Sequence, residues 1–149
     1  VGWLSMSHSS DAVLVGYSPD AACRFGVDLE AIEPRSTEML EDFFTPAEIE
    51  WVISSPENQK AIRANLVWSA KEAFLKAIEQ GLRVDTRKIE VKPMSVHEMN
   101  NGWERLDFSA NDLGDSDWNL WFRQVQDYIL TLCLPIETTP PSLDVVSIS

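Results

Sequence analysis

At 149 residues with a formal net charge of −12, the chain has the size of one domain, able to bury about two-thirds of its unfolded surface. The acidic balance argues against nucleic-acid binding, which needs a basic face, and no apolar run reaches the ~18 residues of a membrane span. The opening VGWLSMSHSS has neither the basic start nor the apolar core of a signal peptide, so a cytoplasmic location is expected.

The chain opens without an initiator Met and inside a strand, as a domain excised from a longer polypeptide would. Three strands are predicted first, over Trp3–Met6, Ala12–Tyr17 and Cys23–Glu30, separated by the turn-like SHSSD and SPDAA. Ser5, Ser7, His8 and Ser9 place hydroxyls and an imidazole at a strand end. Adjacent strand residues point to opposite faces, and no G-x-S-x-G elbow is present, so a hydrolase triad is not expected. Cys23 and Cys133 have no metal spacing and are expected to be free buried thiols.

The third strand contains FGVDLE, Phe25 to Glu30. Its period of two puts Phe25, Val27 and Leu29 on one side and Gly26, Asp28 and Glu30 on the other. Two carboxylates side by side repel unless something positive lies between them, and the small Gly26 is expected to let a ligand approach the strand backbone.

Next come two short helices. The first has Ser36 or Thr37 as its cap, and the second starts at Thr45-Pro46 with proline in the first turn. Arg35, just before them, is either a partner contact or a solvated loop arginine. After a loop at SSPENQ, the longest helical pattern runs over Ala61–Ile78, closed by Gly81 as a C′ glycine. Its apolar residues Ile62, Leu66, Val67, Ala70, Ala73, Phe74, Ala77 and Ile78 fill an arc of roughly 160°. Trp68, Glu72 and Lys76, at i, i+4 and i+8, form a second stripe. One reading is an ordinary Glu-to-Lys pair beside a packing tryptophan. The other joins Glu72 to the Asp28/Glu30 face, so that three carboxylates surround a divalent cation and Lys76 meets phosphate oxygens. Between Lys60 and Lys92 eight basic residues stand against four acids, a local net of +4 that suits a phosphate-bearing ligand or an acidic partner.

The period then returns to two, with strands expected over Ile89–Lys92, Glu104–Phe108, Trp118–Val125 and Tyr128–Leu134, and loops at PMSVHEMNNG and SANDLGDSD. His97 falls in the first of these loops. The tail from residue 135 to 149, with its ETTPPS, is expected to be a linker or loose end. The predicted class is α+β, a mainly antiparallel sheet packed by one long helix and shorter helices. No Walker A, no G-x-G-x-x-G and no zinc spacing occurs.

GVDLE at Gly26–Glu30 followed by WSAKEAFLK at Trp68–Lys76 resembles the paired signature of the 4′-phosphopantetheinyl transferase superfamily. SMSHS at Ser5–Ser9 is similar to the Ser-His element of its surfactin-synthetase-activating type, and FFTPAE at Phe43–Glu48 to that type's FFxxxE segment. Members of that type consist of two similar halves with coenzyme A between them, and residues 1–134 resemble the second half. The resemblance implies a transferase that moves 4′-phosphopantetheine from coenzyme A to a serine of an acyl- or peptidyl-carrier protein with Mg²⁺, releasing adenosine 3′,5′-bisphosphate. It implies that Asp28, Glu30 and Glu72 hold Mg²⁺, and that Lys76 meets the phosphates and assists the leaving group. Ser7 and His8 would contact coenzyme A, His8 near its 3′-phosphate, and Glu48 or Glu72 would take the serine proton. The alternative is a non-catalytic half-domain binding a carrier protein, a sister half-domain or further copies of itself.

Overall fold

The computed structural model describes residues 1–92 and 98–146. Strands β1 (Trp3–Ser9) and β2 (Ala12–Ser18) form an antiparallel hairpin, and β3 (Gly26–Ala31) follows. Helices α1 (Thr37–Phe43), α2 (Pro46–Ile53) and α3 (Glu57–Ala77) come next, then β4 (Glu90–Lys92), β5 (Met99–Asn100), β6 (Trp103–Ser109), β7 (Trp118–Val125) and β8 (Tyr128–Pro135). The larger sheet has the order β3-β8-β7-β6-β4, with β5 paired to β6, and each pairing is antiparallel. The α+β expectation therefore holds.

Local chemistry sets the helix starts. The Ser36 hydroxyl accepts from the Met39 N–H at 3.1 Å, satisfying one of the amides that a helix start leaves unpaired. Thr45 and Glu48 cap α2 reciprocally, with Pro46 opening the helix, as in a capping box. The long helix α3 lies across one face of the sheet, burying Val67, Ala70, Ala73, Phe74 and Ala77 against Leu106, Leu120, Ile129 and Cys133. Removing Phe74 from water alone is worth about 2–3 kcal/mol. Gly26 makes this contact possible: a Cβ there would sit 2.0 Å from the Ala73 carbonyl oxygen and 2.7 Å from the Ala77 nitrogen. The helix backbone, not a ligand, occupies the approach expected over Gly26.

On the opposite face, Val27, Leu29, Leu130, Leu132, Trp103 and Trp121 form a second core with Leu14 of β2. The hairpin reaches β3 through side chains. β8 pairs with one edge of β3, so the amides of Val27, Leu29 and Ala31 face the other. They donate to Ser5, Ser7 and Ser9 Oγ at 3.0, 3.1 and 2.9 Å, and Trp3 Nε1 donates to the Phe25 carbonyl at 2.9 Å. Alternate residues of β1 thus meet alternate residues of β3. The SMSHS spacing is a hydrogen-bonding comb that covers an otherwise open strand edge.

Several details differ from the sequence-based expectation. α3 begins at Glu57 rather than Ala61, one turn earlier, with Pro56 at its N-cap. Its end is closed by Glu79 in the left-handed region (φ 60°), with Gln80 N donating to Leu75 O and Glu79 N to Lys76 O. This is the Schellman arrangement, two residues before Gly81. The tail is not loose along its first part: Pro140 is buried, the Asn101 and Trp103 side chains donate to the Pro140 and Pro141 carbonyls at 3.2 and 2.9 Å, and Leu143 packs on the second core. PMSVHEMNNG is not wholly a loop, since Met99–Asn100 form β5; residues 93–97, His97 included, lie outside the described residues. Cys133 is buried and Cys23 only partly so, both as free thiols. Among the described residues no helix is long and apolar enough to cross a membrane.

Candidate active site

The register of β3 and the approach of α3 decide which side chains meet. Asp28 and Glu30 pair with Thr131 and Ile129 of β8 and share the sheet face that α3 covers. Ser69 of α3 bonds Thr131 Oγ1 at 2.9 Å, which fixes the helix over this point of the sheet. One turn on, Glu72 and then Lys76 come down beside Asp28.

Asp28 is 3% exposed. Its Oδ1 accepts from Lys76 Nζ and from Ser7 Oγ, each at 3.1 Å. Its Oδ2 is buried with no hydrogen-bond partner, and so is Glu72 Oε1. A buried carboxylate oxygen without a donor is costly, and here two belong to acids whose charges act on each other. Glu30 offers Oε2 to Arg35 Nη2 at 3.0 Å. Burial first, then the charge of Asp28, push the Glu30 carboxyl up to about 7 against the pull of Arg35. Burial and Asp28 likewise raise Glu72, opposed by Lys76. The three acids therefore feel one another's charge, and a divalent cation would relieve their repulsion. Among the described residues, no three His, Cys, Asp or Glu side chains already stand together as a metal cage. The fit to a cation rests on the two orphaned oxygens.

Lys76 is brought to the cluster, and its ammonium also donates to the carbonyls of Val27 at 2.9 Å and Met6 at 3.3 Å. With its side chain 30% exposed, it stands at the rim between β1 and β3. Ser7 faces the cluster. His8 does not: it lies on the other face of β1, exposed and opposite Val13. Trp68 packs its ring against Phe43 at 5.1 Å, beside the site rather than in it.

Glu48 has a different place from the one expected of a proton acceptor. Its carboxylate is 1% exposed and accepts from Thr45 N at 2.8 Å, Val91 N at 2.7 Å and Lys71 Nζ at 2.6 Å. No hydrogen bond or ion pair joins it to Asp28, Glu30 or Glu72, and no oxygen is left open to a substrate hydroxyl. Its role is structural. It ties the start of α2 to β4 and to α3. Lys71 spends its other protons on the Phe43 and Thr86 carbonyls, both at 2.9 Å. The basic segment therefore does not form a single cationic face, since Lys71 is internal and Arg87 and Lys60 pair locally with Asp85 and Glu57.

Two residues take roles not read from the sequence. Arg35, only partly exposed, is not a free loop arginine: its Nε donates to Asn65 Oδ1 at 2.7 Å while Nη2 holds Glu30. Asn65, an amide fully buried in the middle of α3, was the available signal, because polar side chains are rarely buried without a set of partners.

An antiparallel sheet under one long helix, which brings Asp28 and Glu30 of β3 beside Glu72 and Lys76 of α3, places the chain in the α+β class. A family profile described as the 4′-phosphopantetheinyl transferase superfamily matches residues 24–133, and the chain belongs to that superfamily. It is 40% identical over 79 residues to the 4′-phosphopantetheinyl transferase psf-1 of Bacillus pumilus, covering 52% of this chain and 32% of that protein. It is 30% identical over 115 residues to the 4′-phosphopantetheinyl transferase HetI of Nostoc sp., covering 72% of this chain and 47% of that one. The chain thus spans between a third and a half of the length of these curated relatives. Among solved structures, the ACPS–CoA complex of Chronobacterium ammoniagenes is similar at 27% identity and a TM-score of 0.56, over 75% of this chain and 95% of that one. A holo-(acyl-carrier-protein) synthase from Bacillus anthracis shares the fold with a TM-score of 0.60 at 16% identity, over 75% of this chain and 94% of that one.

Proposed function

We propose that the chain carries the catalytic notch of a transferase that moves 4′-phosphopantetheine from coenzyme A to a serine of an acyl- or peptidyl-carrier protein. The observation that carries this reading is the pair of buried, unpartnered oxygens Asp28 Oδ2 and Glu72 Oε1 on the strand and helix that bear the superfamily's paired signature.

Asp28, Glu30 and Glu72 would hold Mg²⁺, which when bound neutralises the pyrophosphate and lowers the cost of charge build-up at phosphorus. The protein's own contribution is positioning. The serine Oγ–phosphorus bond forms as the pyrophosphate P–O bond breaks, and adenosine 3′,5′-bisphosphate leaves. Glu72, its proton affinity raised by burial and by Asp28, takes the hydroxyl proton on the carboxylate oxygen that does not face the cation; Glu48, with no open oxygen, is set aside for that task. Lys76, at the rim, turns from the Met6 and Val27 carbonyls to the phosphate oxygens and supports the leaving group. Ser7 stays with Asp28, and the exposed His8 is available to a ligand passing over the outer face of the hairpin.

The alternative reading is a half-domain that binds a carrier protein or a sister unit without transfer. Incubation with coenzyme A, Mg²⁺ and an apo carrier protein separates the two. Transfer gives the carrier the mass of one phosphopantetheine, abolished by EDTA and by Asp28→Asn. Carrier binding with no mass gain supports the second reading and overturns the first.

A further inference from the structure

We propose that Arg35 and the buried Asn65 are positioning residues for the cation site, a bracket that aims the Glu30 carboxylate at the ion. The proposal rests on the cation reading above, and its test distinguishes the two.

Asn65 uses its whole amide. Nδ2 donates to the Glu33 and Ala61 carbonyls, both at 2.7 Å, and Oδ1 accepts from Arg35 Nε at 2.7 Å. The amide therefore joins α3 to the loop that leaves β3. Arg35 delivers its next nitrogen from that anchor to Glu30 Oε2 at 3.0 Å. A free surface arginine gives up much rotamer freedom to hold one carboxylate and gains little net stability. Here Nε is fixed by a buried amide, and the planar fork then has only one direction in which to present Nη2.

The bracket completes a pattern. Lys76 takes Asp28 Oδ1 and leaves Oδ2 open; Arg35 takes Glu30 Oε2 from the other end of the notch. Each base occupies one oxygen of one acid, so the remaining oxygens are held in place. Two effects of Arg35 on a bound cation compete. Its charge repels the ion through a partly desolvated path, whereas its geometry keeps Glu30 from swinging away from Asp28 and Glu72. Outer partners of metal ligands commonly matter by about 10–100-fold in affinity, so geometry is expected to win.

Mn²⁺ serves as the probe, read by electron paramagnetic resonance on the chain without coenzyme A or carrier. Arg35→Ala and Arg35→Lys are both expected to weaken Mn²⁺ binding by about tenfold, because lysine keeps the charge but cannot link Asn65 to Glu30. Transfer assays should show the metal concentration for half-activity rising much more than kcat falls. If Arg35→Lys binds like the wild type while Arg35→Ala binds more tightly, the guanidinium acts only as a charge and the bracket is overturned. Equal affinity in all three also overturns it. A folded wild-type chain that binds no Mn²⁺ either alone or with coenzyme A added would instead remove the cation reading, and the bracket with it. Should Arg35→Ala fail to fold, Arg35→Lys decides.

Discussion

Lys71 and Glu72 are neighbours on α3, about 100° apart around the helix, and they look into two opposite situations. On the Lys71 side everything is closed. Its ammonium and the Glu48 carboxylate, both with side chains 0% exposed, bond only to each other and to backbone groups. Burial pushes Glu48 up and Lys71 down, and each charge pulls the other back. On the Glu72 side, Asp28 Oδ2 and Glu72 Oε1 are buried without donors, beside a Glu30 that Arg35 holds by one oxygen. Both regions hold desolvated charge, but only one is internally satisfied. The closed pair, one residue away, shows that this fold can satisfy buried charge fully, which sets the open cluster apart from it.

Breaking the closed side should have the largest effect on stability. Lys71→Ala leaves Glu48 charged and alone, strips donors from the Phe43 and Thr86 carbonyls, and should cost about 3–5 kcal/mol in urea unfolding. Glu72→Gln, one residue on, should be near neutral, because Oε1 loses no donor and like-charge repulsion falls. It should nevertheless lower the transfer rate by at least about 100-fold. A large stability loss in Glu72→Gln would mean that the two sides do not differ as described.

The pH dependence of the ion-free chain comes next in size. Glu30 holds its proton up to about 7 in the folded state against 4.5 ordinarily. Between those values the native chain binds a proton that the unfolded chain has released, so stability falls as pH rises. Integrated over that window the loss is on the order of 2–3 kcal/mol. Glu72 is shifted in the same direction and adds to the slope. Urea midpoints in EDTA from pH 4.5 to 7.5 should show this decline, Mg²⁺ should reverse it near neutrality, and Asp28→Asn should lessen it by removing the neighbouring charge while the effect of burial remains. The closed side gives no comparable response to Mg²⁺.

The comparison also explains what was legible in the sequence. Asp28 and Glu30 stand out because a strand period of two puts them on one face, and Glu72 and Lys76 because a helical period joins them. The succession of elements along the chain and the α+β class follow from the same periodicities, whereas the strand order in the sheet does not. Lys71 and Glu48 were harder: a lysine in a helical pattern reads as surface charge, and only the docking of α2 and β4 on α3 encloses it. Arg35 is silent without Asn65, thirty positions away. Gly26 signals close approach, but whether by ligand or by helix depends on where Ala73 and Ala77 come to lie. The serines at positions 5, 7 and 9 suggest chemistry when taken alone. They become a structural comb once β3 is seen to have an unpaired edge.

That comb supplies the smallest and most selective test. Ser5→Ala and Ser7→Ala each leave one β3 amide, of Val27 or Leu29, without its acceptor, and each should cost about 1–2 kcal/mol. Ser5 touches nothing in the acidic cluster, whereas Ser7 also donates to Asp28 Oδ1. Ser7→Ala should therefore lose somewhat more stability than Ser5→Ala, by the charged hydrogen bond to Asp28, and only Ser7→Ala should weaken Mn²⁺ binding, by a few-fold up to about tenfold as loss of a ligand's outer partner does. Equal Mn²⁺ affinity in the two would confine Ser7 to the comb and draw the boundary of the open side at Asp28 itself. A selective loss in Ser7→Ala would place one tooth of the comb in both regions at once, so that docking of the hairpin and readiness of the notch are set by the same hydroxyl.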